Sequence, residues 1–168
     1  MDESGENELN LMNSRMQLQK PKYKYQNASI TLKEGLEEYQ SMHSGLLQEE
    51  EMKGDAAEFF HSHDICHVVF GCDTTLGNEA MVETWSYFGT TVKLKELMVY
   101  IDTKEHKEIM RKVGITGTIW TFIKAFPNII KVIARTRKMK KKWPWSDNEH
   151  YLNVSLKEIR DDFNIKTI

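Results

Sequence analysis

Cysteine is almost missing from this chain. Two residues in 168, Cys66 and Cys72, are too few for a disulfide framework, and no Cys-x-x-Cys pair is present. Proline occurs three times and glycine nine times, which excludes a collagen-like fibre and a Pro/Gly-rich low-complexity chain. Long apolar runs are also lacking. The longest uncharged stretch near the hydrophobic maximum, Val113 to Ile123, is well short of the roughly 18–20 residues of a spanning helix. Net charge is small, with 23 basic against 25 acidic side chains. What is present is 40% apolar and 29% charged, the composition of a globular protein and enough for one domain. The start, Met1 to Asn10, is acidic and polar, so neither a secretory signal nor a transit peptide is expected, and a reducing cytoplasm is the simplest setting.

The charge is unevenly placed. Lys131 to Lys142 holds seven basic residues and no acid, which leaves 16 basic against 25 acidic elsewhere. A basic segment on an acidic body is a poor nucleic-acid binder, because the remaining surface repels phosphate. An anionic membrane surface suits it better, with Arg135, Lys138 and Lys141 beside Trp143 and Trp145 facing the headgroups. The simpler alternative is a solvated helix end whose cations favour the C-terminal dipole.

The periodicity predicts an all-α, compact, single-domain bundle of about six or seven helices. Residues 1–26 read as a disordered or loosely attached acidic arm, and 27–168 as one helical domain. Thr31-Leu32-Lys33-Glu34 fits a capping box and starts a helix over Leu32 to Met42. Asp55 to Phe70 is apolar nearly all round and is expected to be buried. Further helices are predicted over Asn78 to Tyr87, Val92 to Val113, and Thr118 to Lys140 with a kink at Pro127. A short last helix runs to Phe163, capped by Ser155 with Glu158 three residues on.

One constellation stands apart. His63-Asp64-Ile65-Cys66-His67 places two histidines at i and i+4, about 40° apart on one helical face, with Asp64 about 60° from His67. Glu79 opens the next helix after a turn marked by Gly71 and Gly77. Folding that helix back antiparallel gives a candidate metal set of His63, Asp64, His67 and Glu79, with Glu83 behind it or as a substitute ligand. Phe59, Phe60 and Phe70 fall within about 90° of the histidine pair, so the polar face points into an aromatic interior. An unpaired carboxylate there costs several kcal/mol, and a divalent cation removes that cost. The competing reading is a chance histidine pair with a plain His–Asp hydrogen bond. His43, His106 and His150 read as surface residues, and both cysteines as small buried apolar groups.

His63-Asp64-x-x-His67-x11-Glu79 resembles the signature of the coenzyme Q (ubiquinone) biosynthesis family whose mitochondrial member is called the fourth Coq protein. Glu34-Gly35-Leu36-Glu37-Glu38-Tyr39 and the tail Leu156-x-x-Ile159-Arg160-x-x-Phe163-Asn164-Ile165 resemble it too, so the likeness covers about Ser29 to Ile165. The resemblance implies a divalent metal, usually zinc, on residues matching His63, Asp64, His67 and Glu79. It implies a channel for a polyprenyl chain, peripheral association with the inner face of a membrane, homodimerisation, and partnership with other quinone-biosynthesis proteins. It also implies oxidative decarboxylation at ring C1 of a prenylated hydroxybenzoate-type precursor.

On these residues the metal would act on the carboxylate or phenolate oxygens of the ring, and Asp64 or Glu79 would move a proton. Phe59, Phe60 and Phe70 with Trp120, Ile123, Phe126 and Ile130 are the candidate lining for the tail, or else plain core packing. Two histidines and carboxylates serve zinc, and the same set with open positions also suits iron(II) or manganese. Two alternatives stay open. One is a non-catalytic prenyl-lipid-binding scaffold. The other is a His-Asp metal phosphohydrolase using His63-Asp64 with His43 and Asp102.

Overall fold

Residues 20–43, 54–93, 95–96, 120 and 123–168 are described by a computed structural model. Five α-helices occur among them: α1 (Leu32–Met42), α2 (Asp55–Phe70), α3 (Leu76–Gly89), helical backbone over 123–136 (α4) and α5 (Leu156–Phe163). Two 3-10 turns, Lys22–Lys24 and Glu149–Tyr151, complete the regular structure. No strand occurs among the described residues, where the only sheet-like pairings are isolated bridges between Thr31 and Ser155 and between Thr90 and Trp143. The fold class is therefore all-α.

Local sequence sets the helix ends. Thr31 and Glu34 form the capping box of α1, with the Glu34 amide donating to Thr31 Oγ1 at 3.2 Å and the Thr31 amide donating to Glu34 Oε2 at 2.7 Å. Ser155 caps α5 in the same way, accepting from the Glu158 amide at 3.2 Å. These two N-termini also cap each other. The free amides of Leu32 and Lys33 donate to the carbonyls of Val154 and Leu152, while those of Leu156 and Lys157 donate to Ile30 and Ala28. Donors that a helix cannot satisfy within itself are thus paired reciprocally.

The central helix is α2, which packs against α1, α3, α5 and the first 3-10 turn. Ile65, Cys66, Val68, Val69 and Phe70 are fully buried, as expected of a helix apolar all round. Each large side chain so buried contributes about 1.5–3 kcal/mol. Gly71 stops α2 in the left-handed region (φ 72°), where its amide and that of Cys72 return to the last-turn carbonyls. The Val68 carbonyl, shared with the Gly71 amide, and the Val69 carbonyl also meet Arg160 of α5. Its guanidinium donates to Val69 and Val68 and also to the carbonyls of Tyr23 and Tyr25. Burial lowers its pKa to about 10, so it stays charged at neutral pH. Four carbonyls and the negative end of the α2 dipole hold this cation in place of a carboxylate.

Three sequence expectations change. Residues Lys20 to Gln26 are not a loose arm: Tyr23 is fully buried, its amide held by the Glu38 carboxylate at 3.0 Å, and Gln26 bonds to the Ile165 carbonyl at 2.9 Å. Residues 1–19 of the arm lie outside the described residues. Trp143 and Trp145 do not face a membrane, since both indoles are buried. Trp143 packs between Tyr151 and Phe163 at 5.0 and 5.1 Å, and Trp145 meets Phe59 at 5.2 Å. Aromatic side chains of this size gain more from the core than from a wet interface. Helix α3 is two residues longer at each end than predicted. Val92 and Lys93 are non-helical because the Thr91 amide donates to Trp143 and the Val92 amide to Thr90 Oγ1. Most of the predicted helix over Val92 to Val113 lies outside the described residues, as does the start of that over Thr118 to Lys140.

Two substitutions test these contacts. Arg160→Met removes four hydrogen bonds, leaving the Tyr23 and Val69 carbonyls without their side-chain donor, and is expected to cost about 3–5 kcal/mol in urea unfolding. Gly35→Ala would put a Cβ 2.8 Å from Val68 Cγ1 and 3.1 Å from Leu156 Cδ1. It is expected to cost about 1–3 kcal/mol through overpacking, although alanine is the better helix former by about 1 kcal/mol. An unchanged or raised urea midpoint would refute the close approach of α1 to α2.

Candidate metal centre

Helix α2 carries His63 and His67 on one face, one turn apart. Five residues later the chain has reversed: Asp73 Oδ1 accepts from the Thr75 amide at 2.9 Å and from its hydroxyl at 2.6 Å, which shapes the turn. Its second carboxylate oxygen pairs with Lys24, tying the turn to the N-terminal segment. Helix α3 then starts, and Glu79 lies in its first turn.

One ligand atom from each of His63, His67 and Glu79 lies within 4.8 Å of the other two. Donors around a single zinc ion at about 2.1 Å stand about 3.4 Å apart, a spacing these three atoms approach. His67 Nε2 is 3.5 Å from Glu79 Oε1, longer than a good hydrogen bond. Both ring nitrogens of His67 are buried and without a hydrogen-bond partner among the described residues. A buried polar atom left this way costs about 1–3 kcal/mol, which a cation bound to the lone pair relieves. The residues present therefore fit a divalent metal.

Aromatic rings fix the imidazoles. Phe59 stacks on His63 at 6.1 Å, His63 meets His67 edge-on at 4.8 Å, and Tyr39 stacks on His67 at 5.0 Å. Burial, with help from His67, pushes the His63 pKa down to about 4, so its imidazole is neutral and available as a ligand at neutral pH. Burial works to raise Glu79, but contact with His67 and the nearby His63 outweigh it and hold the carboxyl below its ordinary value. Glu79 is about a third exposed, at 30%, which leaves a path from solvent to this edge of the site.

Asp64 is not brought into the converging set. Although the helical wheel put it on the right side, its carboxylate is hydrogen-bonded to the Tyr39 hydroxyl, whose pKa rises through burial and through the Asp64 and Glu79 charges. Glu83, one turn beyond Glu79, stays exposed, and loss of solvation beside the Glu79 carboxylate moves its pKa upward. Phe70 stacks on Trp85 at 4.5 Å as core packing, and Phe59 is buried. Trp120, Ile123, Phe126 and Ile130 are 50–60% exposed and form an apolar stripe among the described residues. Among the residues expected to face a membrane, Lys138 is exposed, Lys141 pairs with Asp162 at 2.7 Å, and Arg135 donates to the Lys166 carbonyl. Comparison with family models, curated proteins and solved structures finds no match for this chain. Among the described residues no helix is long and apolar enough to cross a membrane.

His43 was missed. It is half-buried at the end of α1, its ring 4.8 Å from Tyr39, and it feels the charges of His67 and Glu79. It lies twenty residues upstream of His63 with no local spacing to mark it, so its place beside Tyr39 comes from the fold. Cys66 and Cys72 are buried as expected, and burial pushes the Cys66 thiol up to about 12, leaving it neither ligand nor nucleophile at neutral pH.

Metal binding to the folded protein alone raises thermal stability. Zinc at about a hundred times its Kd is expected to add about 2.7 kcal/mol, read as a shift in Tm. His67→Ala is expected to lose the shift. A shift equal to that of the unsubstituted protein would remove His67 from the site.

Proposed function

We propose that this is a divalent-metal-binding protein of ubiquinone biosynthesis that takes a prenylated, carboxylated ring precursor, with loss of the C1 carboxyl as its reaction. The observation that carries the reading is the convergence of His63, His67 and Glu79 with both nitrogens of His67 buried and orphaned. The resemblance at His63-Asp64-x-x-His67-x11-Glu79 supplies the pathway, and the geometry supports the donor set without Asp64 as a direct ligand.

A bound divalent metal would supply Lewis acidity toward carboxylate or phenolate oxygens. Two histidines and one carboxylate leave positions open for such oxygens, a set that suits iron(II) as well as zinc. Iron(II) also accommodates an oxidative reaction with dioxygen, for which zinc has no redox chemistry. The chain's own groups prepare the site. His63 offers a neutral imidazole, Glu79 an anionic carboxylate at the exposed edge, and Phe59 and Tyr39 keep water from the rings. Asp64 and Tyr39 form a hydrogen-bonded pair beside His67 that can hold a proton. The open stripe of Trp120, Ile123, Phe126 and Ile130, with Lys124 over the Trp120 ring, supports contact with a prenyl tail or a lipid surface.

The same features serve a non-catalytic prenyl-lipid scaffold, and turnover separates the two. Purified protein loaded with iron(II) or zinc is incubated in air with a prenylated 4-hydroxybenzoate, and the products are read by mass spectrometry. The expected outcome is loss of the carboxyl group, reduced more than about tenfold in Glu79→Gln with its helical circular dichroism intact. Precursor bound but unchanged would favour the scaffold. Neither metal nor precursor bound would sink both readings.

A further inference from the structure

The imidazole of His43 is held on two sides. Its Nδ1 lies 3.3 Å from Thr74 Oγ1, in the turn that leads into α3 and Glu79. Its ring lies against Tyr39, which stacks in turn on His67. The opposite nitrogen, Nε2, is shut off from solvent and has no hydrogen-bond partner among the described residues. A hydroxyl donates well to an imidazole nitrogen, and in the tautomer where Thr74 donates to Nδ1 the ring proton is on Nε2. In that tautomer Nε2–H is a buried donor without an acceptor among the described residues, on a ring that touches Tyr39 as His67 does, a position proteins rarely tolerate.

His43 is not one of the converging ligand atoms, so it does not complete the coordination set. Three protein ligands leave at least one coordination position for an outside molecule. We propose that His43 is a ligand-binding residue of this site, its Nε2–H donating to an anionic oxygen, carboxylate or phenolate, of the molecule that occupies the open position. The proposal rests on the metal-centre reading above and adds the residue that recognises the head group. Thr74 is the positioning residue that fixes the imidazole's proton.

The full chain loaded with cobalt(II) provides the test, since its visible absorption reports any change in the ligands of the metal. The probe is 4-hydroxybenzoate, titrated into the unsubstituted protein, His43→Leu and His43→Gln. Leucine keeps bulk against Tyr39, and the amide nitrogen of glutamine stands where Nε2 does. The expected result is one cobalt per chain in all three, with identical spectra before the probe is added. Probe binding is expected to weaken about tenfold or more in His43→Leu and to recover in His43→Gln.

Equal probe binding in His43→Leu would overturn the proposal, as would a changed cobalt spectrum before the probe, which would make His43 a direct ligand. A His43→Leu protein that does not fold would assign the ring to packing and overturn it as well. No spectral response in the unsubstituted cobalt protein would show that the open position takes no such oxygen, leaving the metal centre intact but ending the proposal. No cobalt bound at all would remove the metal centre and the proposal together.

Discussion

The arrangement of the molecule depends on the Arg160 guanidinium set against four backbone carbonyls. A cation taken out of water is costly, and no carboxylate neutralises this one. It is tolerated because two of its acceptors are carbonyls at the C-terminal end of α2, where the helix dipole is negative. That choice fixes where α2 ends. His67 immediately precedes the two carbonyls held, and Gly71 then reverses the chain toward α3. The buried charge in the last helix thus sets the position of the histidines and, through the turn, of Glu79.

Around the candidate centre, polar and aromatic groups alternate. His63 and His67 lie between Phe59 and Tyr39, and Tyr39 also touches His43 and hydrogen-bonds to Asp64. In such surroundings an imidazole cannot turn toward water to satisfy its nitrogens. The unpaired nitrogens of His67 and His43 are therefore a standing cost in the protein without its ligands. Bound ligands at these positions would stabilise the fold and assemble the site in one event.

Much of the helical frame was legible because its signals are local. Thr31 with Glu34 and Ser155 with Glu158 mark helix starts through hydrogen bonds within three residues, and Gly71 marks a stop through its left-handed backbone. The spacing of His63, His67 and Glu79 was legible for a related reason, since one helix and one short turn determine it. Asp64 stands outside the converging group because a helical wheel gives the direction of a side chain and not its partner, and Tyr39 on another helix interacts with it. Trp143 and Trp145 failed because neighbouring lysines imitate a membrane edge, whereas burial is decided by distant Phe59, Tyr151 and Phe163. Tyr23 sits in a segment too poor in apolar residues to predict a core, yet one tyrosine is enough to anchor it.

The mutual capping of α1 and α5 links the order of synthesis to the order of folding. The amides of Leu32 and Lys33 wait for carbonyls at 154 and 152, so the cap of the first helix cannot be completed until residue 154 has been made. During translation, the residues made last are shielded by the ribosomal exit tunnel, so this closure waits until residues 152–157 have cleared it. The nascent protein therefore emerges with its histidine-bearing helix unclamped, a window in which chaperones have access to apolar surface that the mature molecule hides.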